Sequence, residues 1–235
     1  MTAFEFAAAV APEIDRVTIA VHPIARPAAV ELFHAAGLER GGLLVPLLTP
    51  LLAGPALAAE LHSIARYAPF GEFAAGLDQQ VRQGLLIRSG DVVAASPTGR
   101  ELLVGLRKVQ GAAVGELFAD HADVVEDLRP LADRALAAAT GGVAFALMKP
   151  PDTADSAAHG LHDRITALRY HRADAHVTAW EAAGLSADAV QQLDGGPVAE
   201  QLEAETNRLA ALPYVDFSDA ERAAFLAGLT RLARI

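Results

Sequence analysis

The sequence predicts a mainly α-helical protein with one small β-hairpin and a C-terminal helical domain. Apolar residues recur at helical spacing over most of the chain. Proline, serine and glycine flank these stretches, at the positions where helices begin and end. In one short central stretch, apolar and polar residues alternate instead. A chain of 235 residues accommodates one large or two small domains. We divide it into an N-terminal helical segment 1–42, a central module with a long helix 43–150, and a C-terminal helical domain 151–235.

The first helical stretches are separated by clear stop signals. In residues 85–96, apolar and polar side chains alternate weakly on either side of Ser89-Gly90-Asp91. This pattern predicts a β-hairpin with a tight turn. The segment from Ser96 to Arg100 opens a helix that we expect to run to about Thr140. The helical stretches before the hairpin are 27–36, which stops at Gly37, then 55–67, which ends before Pro69, and 72–83, which closes on Gly84.

The C-terminal part reads as further helices. The apolar run VAFALM at 143–148 is flanked by glycines and prolines, and predicts either a strand or a buried helical turn. Ser218 and Glu221 form a capping-box pattern at the start of the last helix. The predicted helices of this part are 156–183, 186–193, 198–211 and 218–235.

The charge balance restricts the partners. Lys and Arg number 19 against 29 Asp and Glu, a net charge of −10. Affinity for nucleic acids comes largely from neutralised phosphates, so an acidic chain is a poor general nucleic-acid binder. Residues 55–109 are the exception, with six basic and five acidic side chains. That balance permits a small DNA-contacting module.

Composition also narrows the chemistry and the location. The absence of cysteine excludes disulfides, thiolate metal sites and cysteine nucleophiles. No stretch approaches the roughly 18 apolar residues of a spanning helix, and the N-terminus lacks the basic segment of a secretory signal. We therefore expect a soluble, cytoplasmic protein without a membrane partner. Dinucleotide-binding, P-loop and nucleophile-elbow motifs are also absent from the sequence.

The order helix, turn, helix, two-stranded hairpin, helix is the layout of a winged helix-turn-helix. The run GLL at 84–86 and the run SPTGREL at 96–102 resemble the "GLL…DGR…LTPxGREL" stretch of MarR-type winged-helix modules. This resemblance implies that helix 72–83 enters the major groove. Glu72 and Asp78 in that helix repel phosphate, and a scaffold used only for packing or dimerisation is the alternative. The candidate DNA contacts are Gln79, Gln80, Arg82 and Arg88.

The densest set of polar functional groups lies in the predicted helix 156–183. With 3.6 residues per turn, His162, Arg169 and His176 lie on one stripe, whereas His171 and Asp174 lie on other sides. Arginine with histidine and threonine suits a carboxylate or phosphate ligand. The candidate ligand-binding residues are His22, His162, Thr166, Arg169, His171, Arg172, Asp174, His176 and Trp180.

A metal site is a second interpretation of the same side chains. His162, Arg169 and His176 could converge with His22. A metal site of this composition would use histidine and carboxylate ligands, which suit Zn²⁺ or non-haem iron. The spacing of the histidines differs from H-E-x-x-H, in which both lie on one helix face. A metal site, an organic-anion pocket and no site at all therefore remain open, and we assign neither a metal nor a cofactor.

A second resemblance rests on three segments that together cover roughly a third of the chain, the first being the run VTIAVHPIARPAAVELFHAAGL at 17–38. The run TALRYHRADAH at 166–176, followed by AWEAAGLSADAV, resembles an actinobacterial helix-turn-helix family with the segment "TLLREHRGDGHVAAL…AGL". The later run ETNRLAALPY at 205–214 resembles that family's "TDRLAAPPW". Alanine stands at positions 173 and 175, where the family segment has glycine. Its members have no assigned activity, so the resemblance implies a fold and not a reaction.

Together these observations predict a winged-helix, MarR-like regulator that responds to a small, anionic or aromatic ligand. We expect a homodimer formed through the long helix 98–140. The alternative is an enzyme or ligand-sequestering protein that has lost DNA binding. In that protein His22, His171, Asp174 and His176 would be acid–base or metal groups. A pure interaction module is the third interpretation.

Overall fold

The computed structural model describes residues 1–38, 45–150 and 154–234, and shows a mainly helical protein with one three-stranded antiparallel sheet. The chain forms two compact units. Unit 1 comprises Met1–Val21 and Val114–Ile235, and unit 2 comprises His22–Ala113. Helices α1 (Ala3–Ala35) and α4 (Pro97–Leu117) each contribute residues to both units.

This division differs from the predicted segments 1–42, 43–150 and 151–235. Residues 114–150 fold with the C-terminal helices because α5 (Ala122–Ala138) and α6 (Val143–Leu147) pack against α7 (Ala157–Ala182). The predicted boundary between residues 42 and 43 lies outside the described residues, and so does residue 151.

Helix α1 begins much earlier than the predicted start at Pro27. The prolines at positions 12, 23 and 27 all lie within it, although a proline inside a helix costs about 3 kcal/mol. Packing of an amphipathic face supplies most of the stability of protein helices, and here it outweighs that cost. The helix ends as predicted, with Gly37 at φ 72° and Leu38 N–H bonded to the Phe33 carbonyl at 2.9 Å. The buried face of the first half consists of Phe6, Ala7, Val10, Ala11, Ile14, Val17, Thr18 and Val21.

Unit 1 is built around α7. This helix packs against α5, α6 and α9 (Gly196–Ala210), and α5 also packs against α10 (Asp219–Leu232). Between α7 and α9 lies the short α8 (Ala187–Gln191), and a 3-10 turn, Leu212–Tyr214, follows α9. An aromatic cluster with edge-to-face contacts fills part of the core: Phe6, Tyr214, Phe217 and Phe225.

The predicted C-terminal helices are confirmed, and the capping box at Ser218 is present. The run VAFALM forms the short helix α6 rather than a strand. The expectation of one helix from 98 to 140 is wrong, because a 3-10 turn at Ala119–His121 separates α4 from α5. His121 has φ −129° and ψ 31°, which lies outside the helical region and breaks the chain of hydrogen bonds.

Unit 2 contains the sheet, whose strand order is β1-β3-β2 with both pairings antiparallel. Strand β1 (Ala56–Leu57) precedes α2 (Ala58–His62), so only part of the predicted helix 55–67 is α-helical. The backbone of β1 pairs with β3 instead. The predicted hairpin is confirmed as β2 (Leu86–Ser89) and β3 (Val92–Ala95), with Gly90 at φ 61° in the turn. The remaining elements are two 3-10 segments, Val45–Leu52 and Ser63–Ala65, α3 (Phe70–Arg82) and the start of α4.

None of the helices in the described parts of the chain combines the length and apolarity needed to cross a bilayer.

The first turn of α4 lies directly against the backbone at the start of the hairpin. A Cβ atom at Gly99 would stand 1.9 Å from the Leu85 carbonyl oxygen. The same carbonyl accepts from Ser96 N–H at 2.9 Å, and the Ser96 hydroxyl donates to the Gly84 carbonyl at 2.6 Å. These bonds fix where the hairpin ends and α4 begins.

We expect Gly99→Ala to lower the free energy of unfolding by about 1–3 kcal/mol, because the backbone has to move to admit the methyl group. Gly115→Ala in the same helix is the matched control. The space around Gly115 is open, so the stability should rise by at most about 1 kcal/mol. Urea denaturation followed by circular dichroism measures both values, and equal stabilities would refute the close approach.

Candidate functional site

Helix α7 carries buried polar side chains between His159 and Asp174. Burying an ionisable or polar group is costly unless it finds a partner. The neighbouring helices therefore have to supply complementary groups. The buried polar residues of α7 are His159, His162, Asp163, His171 and Asp174, each less than 9% exposed.

Two of the predicted ligand residues hold the segment that leads into α6. Asp174 Oδ2 accepts a hydrogen bond from Phe145 N–H at 2.8 Å. His171 donates to the Thr140 backbone carbonyl, and its ring stands edge-on to Phe145 with centroids 5.5 Å apart. A Cβ atom at Gly142 would stand 3.0 Å from the Asp174 carboxyl carbon, so a larger residue there would require the Asp174 side chain to shift. The two side chains together act as a clamp on residues 140–145.

Arg172 joins α7 to α9. Its guanidinium donates to Asn207 Oδ1 at 2.7 Å and to Glu203 Oε1 at 2.5 Å. The same guanidinium acts on the buried Tyr214, whose pKa is raised by burial and lowered, to a smaller extent, by the positive charge. Arg172 is therefore held by α9 on one side and is close to the aromatic core on another.

His176 makes a second connection to α9. Its Nδ1 lies 2.9 Å from Thr206 Oγ1, and the Thr206 hydroxyl donates to the Leu202 carbonyl at 2.8 Å. The hydroxyl must consequently accept from His176, which places the proton on Nδ1. Trp180 lies one turn further along, with its ring 5.3 Å from the imidazole, in an apolar cluster with Ala179 and Leu202.

Ion pairs connect α7 with two further helices. Arg169 Nε lies 2.6 Å from Asp15 Oδ1 of α1, and Arg164 pairs with Asp133 of α5. The Arg164 guanidinium also donates to the Gly160 carbonyl at 2.8 Å. Both arginines are thus engaged by neighbouring helices of unit 1.

The predicted ligand set is only partly brought together. Contacts with neighbouring residues of unit 1 are made by Arg169, His171, Arg172, Asp174, His176 and Trp180. His162 is 1% exposed and Thr166 is half-buried, while His22 is exposed and belongs to unit 2. Ligand binding by this set stays a prediction. In the described parts of the chain, no three His, Asp or Glu side chains are grouped as metal ligands.

A partly open cavity of about 340 Å³ lies at the N-terminal end of α7. Among the described residues, none of the nine predicted ligand residues lines it. Ser156 caps the helix at this end by accepting from His159 N–H at 3.1 Å. The described lining residues are Arg129, Pro150, Ala154, Ser156, Ala157, Gly160 and Arg164.

The four predicted DNA contacts, three on α3 and one on the hairpin, differ in their exposure and partners. Gln80 faces the core with Phe73 and Leu77 and is only 1% exposed, so its side chain cannot reach a base. Gln79 and Arg82 are exposed on the opposite side.

Arg88 lies on the hairpin and faces α3. Its guanidinium pairs with Asp78 at 2.6 Å and donates from Nε to the Gly90 carbonyl at 3.0 Å. Arg88 therefore ties the hairpin to α3 and offsets the charge of Asp78.

The exposed side of α3 contains a row of residues that sequence reasoning did not assemble. Glu72, Ala75, Gln79 and Arg82 follow the spacing i, i+3, i+7, i+10, which places them along one side of a helix. We call this row the exposed stripe of α3. The helical spacing of Glu72 in the sequence is a signal for this row, although its charge alone predicts only repulsion of phosphate.

The clamp on residues 140–145 predicts a dependence of stability on pH. Burial lowers the pKa of His171, and the bond to the Thr140 carbonyl and the Asp174 charge offset this only in part. As pH falls through about 6.5, the usual histidine value, the unfolded chain binds a proton that the folded chain does not. The free energy of unfolding therefore falls with pH below that value.

His171→Gln retains an N–H donor but does not titrate, so we expect a smaller loss of stability between pH 7 and pH 5. Urea denaturation at pH 7, 6 and 5 measures this slope. His34→Gln, at an exposed position of α1, is the control and should keep the slope of the unmodified chain. An unchanged slope in His171→Gln would show that this imidazole does not contribute to the pH dependence.

Comparisons with known protein families, with curated proteins and with solved structures find no match to this chain.

Proposed function

We propose that unit 2 is a winged helix-turn-helix module and that the protein is a sequence-specific DNA-binding regulator. The order α2, turn, α3, hairpin supports this proposal, with α3 in the position of the recognition helix. The hairpin follows α3 directly in the chain, and its strand β3 is the middle strand of the sheet. The MarR-type resemblance of residues 84–102 agrees with this order. Regulation by a ligand bound along α7 remains a prediction.

The observation that carries the proposal is the exposed Arg82 on the outer side of α3. Its guanidinium makes no ion pair or hydrogen bond with any residue that the structure describes. Gly71 and Ala75 lie on the same exposed side and are small, so the helix backbone can approach a groove closely. A cation without a partner on such a surface is suited to contact DNA.

The distribution of charge supports the same assignment. Unit 2 contains eight Lys and Arg and seven Asp and Glu, whereas unit 1 contains eleven and 22. The net charge of −11 on unit 1 repels DNA phosphates, whereas the net charge of +1 on unit 2 does not. Unit 2 is therefore the part of the chain that can approach a duplex.

The ion pair between Arg88 and Asp78 makes α3 more compatible with DNA. An unpaired carboxylate beside Arg82 would repel phosphate, but the Asp78 carboxylate has Arg88 at 2.6 Å. The pair also links the hairpin to α3, so that both would meet DNA as one surface. Arg88 thus supports the interface without being a base contact.

We expect the full chain to bind duplex DNA at about 50 mM salt, and we expect the affinity to fall steeply as the salt concentration rises. Arg82→Ala should weaken binding about tenfold, since a specific arginine contact contributes about 1–3 kcal/mol. Fluorescence anisotropy with a labelled pool of duplexes measures both effects.

Arg208→Ala is the matched control, because it removes the same charge from an exposed position of unit 1. It should leave DNA affinity within twofold of the unmodified chain. Absence of binding at low salt, or equal losses in the two variants, would contradict the proposal and favour a module that binds other proteins.

A further inference from the structure

Glu72 is an unusual residue to find on a surface that faces DNA. It lies in the first turn of α3, is exposed, and its carboxylate has no hydrogen bond or ion pair with any described residue. Asp78, the other carboxylate on this side, is paired with Arg88. The exposed stripe therefore presents one carboxylate, near its N-terminal end, that no described cation offsets.

The position of Glu72 on the helix determines what it would face. In a helix that lies in the major groove, the outermost line of side chains meets base edges and the flanks meet phosphates. Glu72 shares the stripe with Ala75, Gln79 and Arg82, on the side away from the buried Phe73 and Leu77. In that binding mode its carboxylate would face base edges rather than the flanking phosphates.

Among base edges, a carboxylate has one good partner. Cytosine presents an N4 amino donor in the major groove, whereas guanine and thymine present acceptors that would repel the carboxylate. Adenine presents an acceptor next to its amino group, so it is a poorer partner for a group that only accepts. At the other end of the stripe, the planar guanidinium of Arg82 matches the N7 and O6 acceptors of guanine.

Resting on the proposed function, we infer that Glu72 and Arg82 determine the sequence that α3 recognises, Glu72 selecting cytosine and Arg82 selecting guanine. The two residues are ten positions apart, which corresponds to about 15 Å along the helix axis. At about 3.4 Å per base pair, this distance spans about four base pairs. The recognised site therefore contains a cytosine and a guanine separated by about four base pairs, with Gln79 facing the bases between them.

A structural role for Glu72 predicts a different outcome. A carboxylate in the first turn of a helix stabilises the helix through its dipole. If that were its only role, replacement by glutamine would change stability or general DNA affinity but not base preference. The preference at single positions of the site is therefore the measurement that distinguishes the two roles.

The experiment is a selection of duplexes with a randomised 12-base-pair segment by the full chain at 50 mM salt, followed by sequencing. We expect a preference of about tenfold for cytosine at one position and for guanine at another. Because glutamine pairs with adenine, Glu72→Gln should change the first preference from cytosine to adenine and leave the guanine position unaltered. Arg82→Ala should abolish the guanine preference and retain that for cytosine.

Glu101→Gln is the control of equal charge change, since Glu101 is exposed on α4 of the same unit; it should alter neither preference. If Glu72→Gln tightens binding to all duplexes and leaves the preferences unchanged, Glu72 only repels phosphate and the inference fails while DNA binding stands. If the unmodified chain selects no duplex, the inference and the proposed function both fail.

Discussion

The structure of unit 1 depends on satisfying the polar groups of a helix that is enclosed by its neighbours. Helix α7 contacts α5, α6 and α9, and it brings histidines, arginines and aspartates into those contacts. A buried charge without a partner is far more costly than a buried pair is stabilising. Each neighbour accordingly supplies a complementary group: Asp133 from α5, the α6 backbone, and Asn207 and Glu203 from α9. The bond of Asp174 to Phe145 N–H is buried, whereas the ion pairs of Arg164 and Arg172 are partly exposed.

The same constraint explains why α7 resembles a ligand site when only its sequence is considered. A row of histidine, arginine and threonine has the composition of an anion pocket, and periodicity places several of them on one stripe. Periodicity does not tell whether a stripe faces a ligand or another helix. Asp174 and Arg172 illustrate the point, because their partners lie 29 and 35 positions away in sequence. Such long-range pairs have no local signature.

Local rules predicted much of the secondary structure. Gly37 ends a helix and Gly90 forms the hairpin turn, because glycine tolerates positive φ. Ser218 caps the last helix with its hydroxyl. Tertiary contacts decided the remainder. Burial of one face stabilises α1 although it contains three prolines. Pairing with β3 makes Ala56 and Leu57 a strand instead of the predicted helix. On α3, one step along the chain moves Gln80 into the core and leaves Gln79 exposed, a distinction that depends on where the core lies.

The low positive charge of the proposed DNA-binding surface has a consequence for specificity. Non-specific affinity comes almost entirely from phosphate neutralisation, and unit 2 has a net charge of only +1 in a chain of −10. The biologically relevant quantity is the ratio of specific to non-specific binding, because competing sites are numerous. An acidic chain lowers the non-specific term for every duplex, whereas contacts to base edges add affinity only at the correct site. A DNA-binding protein with few cationic side chains therefore gains specificity at the expense of affinity. Its polar side chains must contact base edges rather than the DNA backbone.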